Sequence, residues 1–504
     1  MIVEATEPSP TGAGVGAPAR KAFRRRALRH RTMPARRSPA DRRGRVGRDG
    51  GAPDPCEART SAVPRTGFRD LAPPHRIGHG RRPLRGPTRI ARHPEETMSE
   101  TRSASHPTPE RRRFIAGAGA LGTGAALGLH APAILSQTKA PLKIGVLNSF
   151  SKVFAALAQA NLNGMQLYFD QIGGSIAGRR IELIREDDEI NPQVGLTKMK
   201  KLVESDKVDL VTGVQASNVA LAVAEYVRQS RTFFLCSGAG VSTLSWINIP
   251  YLFRCSVASM QPMNAIGSWM AQNVTKQAVT MASDFAGGRD TIGEFKPDFL
   301  KAGGTVIKEI YPPLGTNDFS AYLADVRSTN PPAVFAFFAG SDAVRFVKQY
   351  AEYGLRGRVK LVGSGFMVES DVLPAQGRDA LGAITSLHYA DTLDNPENRK
   401  FVSEYRARFK EFPSVYSEYG YVAARCIHES LTAIDGNTQD KDRMRGAMLA
   451  MRFNAPRGPF RINPITQGPV HNIYIREVAE VDGRVANKVL ATIRDVREPD
   501  RKPG

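Results

Sequence analysis

From residue 142 to residue 493, apolar positions recur every second residue in short runs and at helical spacing in longer ones, and the two patterns take turns. Leu142 to Leu147 reads as a short apolar strand, Gly164 to Ile172 as an amphipathic helix, and Arg180 to Glu186 as an alternating strand behind a turn at Gly178. A helix (Pro192 to Glu204), a buried strand (Val208 to Val214), a helix (Val219 to Gln229) and a strand (Thr232 to Leu235) follow. Such a βαβαβ series calls for a parallel sheet covered on both faces. The series restarts after Tyr251 to Val257 with helix Met263 to Asn273, strand Gln277 to Ala282, helix Thr291 to Ala302 and strand Thr305 to Tyr311. It continues through helix Ser320 to Ser328, strand Ala333 to Phe338, helix Ala343 to Tyr353 and strand Lys360 to Gly363. Two long helical stretches, Glu397 to Phe409 and Tyr416 to Ile434, precede alternating strands at Val470 to Ile475 and Val489 to Ile493.

The predicted fold class is α/β, with two Rossmann-like lobes of parallel sheet joined by a hinge that the chain crosses more than once. The expected division is 138–258 plus about 390–452 for the first lobe, 259–389 plus about 453–495 for the second, and a tail at 496–504. About 367 residues suit two cores of ordinary size. The cleft between the lobes is the natural ligand site, and repeated crossings suit closure around a ligand.

Residues 1–137 follow neither pattern. Arg111-Arg112-Arg113-Phe114-Ile115 opens a Gly/Ala-rich apolar run to Leu129, with Ala131-Pro132-Ala133 at its exit. Ten glycines and alanines among residues 114–129 make a poor core helix, and the run falls short of the ~20 apolar residues of a membrane span. A paired-arginine head with such a run and exit reads as an export signal of the twin-arginine type, over 98–137, with Arg111 and Arg112 as its signature and cleavage within 133–137. No cysteine stands at its end to take a lipid anchor.

Residues 1–97 carry 22 Lys+Arg against 9 Asp+Glu, and they lack apolar periodicity. They are expected to be a disordered Arg-rich leader, written from an upstream start while translation begins at Met98. This changes the charge argument, because the formal +21 of the whole chain falls to about +6 on the exported part. A nucleic-acid partner is therefore not needed. Cys56 lies in the leader, and Cys236 and Cys255 sit at apolar strands, either as two buried thiols or as a bridge between neighbouring strands.

Two loops carry candidate chemistry. The strand ending at Val214 runs into Gln215-Ala216-Ser217-Asn218 and a helix, where Ser217 or Asn218 can cap the helix and free N–H groups can face an anion. The next strand ends in Cys236-Ser237-Gly238-Ala239-Gly240, small residues that let backbone amides approach a ligand. A plain capped helix and a plain turn are the alternative readings of the two.

Over Leu142 to Ile493 the chain resembles the solute-binding proteins of ATP-driven importers for branched-chain amino acids, which have the type I periplasmic-binding fold. The resemblance rests on Lys143-Ile144-Gly145-Val146-Leu147, Asn163-Gly164-Met165-Gln166-Leu167, Gly173-Gly174-Ser175-Ile176-Ala177-Gly178-Arg179 and Asp187-Asp188-Glu189-Ile190-Asn191-Pro192. It continues in Phe253-Arg254-Cys255, Asn317-Asp318-Phe319-Ser320 and Tyr419-Gly420-Tyr421. It implies that the two loops hold a carboxylate through Ser217 and the amides of Gly238, Ala239 and Gly240, with Ala216 and Asn218 beside them. It also implies a soluble, monomeric periplasmic binder with no cofactor, whose partners are a small-molecule solute, the importer's membrane permease and, during export, the twin-arginine translocase.

The second lobe departs from the family pattern. Ser283-Asp284-Phe285-Ala286-Gly287-Gly288 has Gly287 where an aromatic commonly stands, so that ring is missing or replaced by Phe285. Gly365 stands where amino-acid binders of the family place the acid that pairs with the ligand's ammonium. A buried ammonium without a counter-charge is strongly unfavourable, so the expected ligand is a carboxylate without the amine unless Asp284, Asp342 or Glu369 replaces the acid. Phe154, Phe285 and Phe366 are candidate ring contacts, Phe154 and Phe366 being equally readable as core, and Ser341 is a candidate polar contact.

Two rivals are weaker. An exported oxidoreductase would show G-x-G-x-x-G, a Walker loop, a G-x-S-x-G elbow or metal-spaced ligands, and His388 and His428 lack partners at such spacing. A receptor would continue into a span and an output domain, whereas only Arg494 to Gly504 follow Ile493; a separate soluble binder that hands its ligand to a sensor stays open as the alternative.

Overall fold

The computed structural model describes residues 139–500, so the expected export signal over 98–137 and the expected leader over 1–97 lie outside the described residues. The first sheet is built from β1 (Leu142–Asn148), the helix α1 (Ala155–Gln171), the short β2 (Ser175–Ile176), β3 (Arg179–Asp187), α2 (Pro192–Lys200), β4 (Leu210–Gly213), α3 (Ser217–Ser230), β5 (Phe234–Cys236) and β6 (Leu252–Arg254). Its strand order is β2-β3-β1-β4-β5-β6, parallel except for the β2–β3 hairpin. The order reverses between β1 and β4, and a crevice opens beyond the C-terminal ends of those strands.

The second sheet repeats the plan with α4 (Met260–Asn273), β7 (Gln277–Ala282), α5 (Ala286–Lys301), β8 (Thr305–Ile310), α6 (Ser320–Thr329), β9 (Ala333–Phe337), α7 (Ser341–Glu352), β10 (Lys360–Ser364), the single turn α8 (Leu373–Gln376) and β11 (Ile384–Leu387). Here β8-β7-β9-β10-β11 run parallel, with the reversal between β7 and β9. The chain then returns through α9 (Pro396–Phe409), α10 (Val415–Thr432) and α11 (Lys441–Leu449) before β12 (Arg452–Ala455), β13 (Gly458–Ile462), β14 (Pro469–Val481) and β15 (Arg484–Val496) add an antiparallel edge beside β11. α10 packs along α1 so closely that the missing Cβ of Gly164 would meet the Ser417 carbonyl oxygen at 1.8 Å, and that of Gly420 the Asn161 carbonyl oxygen at 1.8 Å. Among the described residues no helix is long and apolar enough to cross a membrane.

Two expectations need correction, and one open alternative is decided. α1 begins at Ala155, nine residues before the predicted start, because alanines fill both its buried and its exposed positions there and blur the period set by Leu157, Leu162 and the exposed Gln159. Neither Ser217 nor Asn218 caps α3: the cap position is Ala216, with no side-chain hydrogen bond, and Ser217 already lies inside the first turn. Cys236 and Cys255 are free thiols. They belong to neighbouring strands, but Cys255 lies one residue past the partner of Cys236 and packs in the core on the opposite face of the sheet.

Candidate functional site

The two reversal points face each other, and the loops that leave them enclose a cavity of ≈ 40 Å³. The first sheet contributes Phe154 and Leu157 after β1, Gln215 and Ser217 after β4, and Gly238 and Gly240 after β5. The second sheet contributes Phe285, Gly287 and Thr291 after β7, Phe337 and Ala339 after β9, and Phe366 after β10, with Ser259 and Tyr416 completing the wall. The lobes are closed on one another. Phe154 meets Phe285 edge-on with ring centroids 5.9 Å apart, and the Asp290 carboxylate on α5 accepts the Ser242 N–H from the other lobe at 3.1 Å.

Aromatic contacts run around the cavity from Phe154 to Phe285, Phe337 (6.0 Å from Phe285), Phe366 (6.1 Å from Phe337) and Tyr416 (5.7 Å from Phe366). Phe285 fills the position that the sequence left open. A Cβ on Gly287 would lie 2.8 Å from that ring and 3.1 Å from Ser217 Oγ, so the glycine makes room for the ring and brings the starts of α3 and α5 together. Both helices begin without a side-chain cap, at Ala216 and Phe285, so first-turn amides of each are left for a ligand. Among the described residues no Asp, Glu, Lys, Arg or His lines the cavity.

The acids that could have replaced the missing carboxylate are engaged elsewhere. Asp284 pairs with Arg289 at 2.6 Å, and Asp342 pairs with Arg345 and accepts the Gly315 N–H at 2.9 Å. Glu369 lies 2.8 Å from Arg476 and accepts the Val415 N–H at the start of α10. Gly365 has no room for a side chain, since its Cβ would come within 2.2 Å of the Arg476 guanidinium and 2.6 Å of Leu387 Cβ.

Of the sequence-predicted residues, Phe154, Ser217, Gly238, Gly240, Phe285 and Phe366 come together at the cavity. Ala216, Asn218, Ala239 and Ser341 do not line it. Ala216 is buried in the core, and Asn218 Nδ2 donates to the Ile190 carbonyl at 3.0 Å. The Ala239 N–H is committed to the Val214 carbonyl at 2.8 Å, so that amide is not free for a carboxylate. Ser341 is the first residue of α7, behind the strained Gly340.

Gln215, Ser259, Thr291 and Tyr416 were missed. Gln215 lies two residues before Ser217 on a loop already singled out, whereas Tyr416 reaches the cavity only through the return of α10, which no local pattern reveals. A larger groove of ≈ 620 Å³ runs along α9 and β15, lined by Asp391, Asp394, Arg399, Arg406 and Arg484. It is open and several of its charges pair with one another, so it reads as a surface feature and the cleft stands as the candidate site.

Residues 141–484 match the family model described as periplasmic binding protein. The chain belongs to that family. Leu/Ile/Val-binding protein homolog 6 of Brucella melitensis is 30% identical over 370 residues, covering 72% of this chain and 94% of the relative. Among solved structures, an ABC transporter solute-binding protein from R. palustris in complex with benzoate is 33% identical, with a TM-score of 0.67, covering 70% of this chain and 98% of that one. Another, from Rhodopseudomonas palustris BisB5 in complex with 3,4-dihydroxybenzoic acid, is 32% identical, with a TM-score of 0.69, covering 71% and 99%. The protein is thus an ABC transporter substrate-binding protein of the Leu/Ile/Val-binding type and not an enzyme; members of the family are periplasmic and deliver small solutes to membrane permeases.

Proposed function

We propose that this protein binds a small aromatic carboxylate and delivers it to an importer of the branched-chain amino acid type. The observation that carries the reading is a cavity bounded by five aromatic rings, open to two uncapped helix starts and free of charged side chains. Helix-terminal amides and the hydroxyl of Ser217 suit a carboxylate without a cation, since their partial positive charge is fixed in place. The rings suit a flat apolar body. An α-amino acid would bring an ammonium with no acid to meet it. The solved relatives that hold benzoate and 3,4-dihydroxybenzoic acid support the same class of ligand.

The test is a thermal-shift screen on protein unfolded and refolded to strip carried ligand, against amino acids, aromatic acids, short aliphatic acids and amides. Ligand at 100 times its dissociation constant adds about 2.7 kcal/mol of stability. Hits confined to acids without an amine support the reading, and leucine-type hits overturn it. Export of a monomer through the twin-arginine route belongs to the same reading. Replacing Arg111 and Arg112 with lysine is expected to leave the protein in the cytoplasm, measured by cell fractionation, and periplasmic accumulation of that variant would refute the signal.

A further inference from the structure

Gln215 is 8% exposed and lines the cavity, yet neither Nε2 nor Oε1 of its side chain has a hydrogen-bond partner among the described residues. Its position is fixed rather than accidental. The backbone N–H donates to Asn148 Oδ1 at 3.1 Å, and the stem lies against Gly238, where a Cβ would come within 2.6 Å of Gln215 Cγ and 2.7 Å of its Cα. A buried amide left without partners costs free energy until something in the cavity meets it.

The amide presents one donor group and one acceptor side by side. A carboxylate only accepts, so against Gln215 it would satisfy Nε2 and leave Oε1 buried and unpaired. A phenolic hydroxyl does both, its oxygen accepting from Nε2 and its O–H donating to Oε1. The carboxylate already has donors at the starts of α3 and α5 and at Ser217. Resting on the aromatic-acid reading above, we propose that Gln215 is a specificity-determining residue that pairs with a ring hydroxyl, so that the preferred ligand is a hydroxylated benzoate rather than benzoate itself.

A site built to hydrogen-bond a substrate hydroxyl discriminates strongly against the analogue that lacks it. Calorimetric titration of the purified, ligand-stripped protein with benzoate, 3-hydroxybenzoate, 4-hydroxybenzoate and 3,4-dihydroxybenzoate is expected to show at least one hydroxylated acid bound about tenfold or more tighter than benzoate. Gln215→Leu, and Gln215→Met as a second variant, should weaken the preferred hydroxylated acid about tenfold more than they weaken benzoate, with melting curves confirming that each variant is folded. Equal weakening of benzoate and the hydroxylated acids would place Gln215 at the carboxylate and overturn the proposal. Wild-type protein that binds benzoate as tightly as every hydroxylated acid would also overturn it, while leaving the aromatic-acid reading intact. Wild-type protein that binds none of the four would remove that reading and this one with it.

Discussion

At the cavity wall, Gly287 exchanges a side chain for the Phe285 ring, and the exchange can be measured. Gly287→Ala places a methyl 2.8 Å from the ring and 3.1 Å from Ser217 Oγ, so one of them must move. The expected result is about tenfold weaker aromatic-acid binding, by calorimetry, with little change in the melting temperature of ligand-free protein. Asp371 offers a second test. Burial pushes its carboxyl up to about 8, neighbouring Glu369 adds to the shift, and neither oxygen has a partner. Because the folded value lies above the unfolded one, stability falls as pH rises from about 4 to about 8 and then levels off. Asp371→Asn should therefore stabilise the protein at pH 8 and change little at pH 4, read from urea unfolding at both values. Residues at the ends of predicted strands, such as Ser217, Gly238 and Gly240, were legible in the sequence because ligands gather where parallel strands end. Gln215 and Tyr416 were not, since an unpaired amide and a returning helix are facts of tertiary packing.

At the scale of elements, three chain crossings meet at one buried cation. The Arg457 guanidinium donates to Glu418 on α10, at 2.7 Å from Nε, and to the carbonyls of Cys255, just after β6, at 2.8 Å and Ser256 at 3.4 Å. His471 of β14 lies 3.2 Å from Nη1 and stacks on His388, which follows β11, with ring centroids 4.9 Å apart. Burial and the nearby arginine hold both imidazoles well below their ordinary range, so they stay neutral beside the ion pair. Arg457→Met would leave Glu418 charged and unpaired in the interior, at an expected cost of about 3–5 kcal/mol in denaturant unfolding. Adding Glu418→Met should recover most of that loss, and failure to recover would mean that the arginine acts mainly through the backbone carbonyls. Sequence patterns located most of these elements well: Gln277–Ala282 is a strand end to end, and α9 starts one residue before its predicted position. They missed β11, α11 and the β12–β13 hairpin, because strands of four and five residues, and a helix that buries only Met444 and Met448, carry too few repeats to rise above chance.

For the whole molecule, closure depends on one backbone position. Gly340 has φ +59 and ψ −139, a conformation that L side chains rarely adopt, and a Cβ there would lie 2.2 Å from the Val153 carbonyl oxygen of the opposite lobe. Gly340→Ala is expected to hold the lobes apart. Saturating ligand should then fail to reduce the radius of gyration in small-angle scattering, while the wild-type value contracts. A contraction equal to wild type would show that the lobes meet without this contact.

The absence of charge in the cavity has a consequence for crowded surroundings. An amino acid enters as a zwitterion, and each one that docks would strand an ammonium at a cost of several kcal/mol. If that cost is about 4 kcal/mol, an amino acid in thousandfold excess over the proper solute only draws level with it. A site built this way stays quiet in a nutrient-rich medium, and the importer behind it answers to a scarce compound without being flooded by common ones.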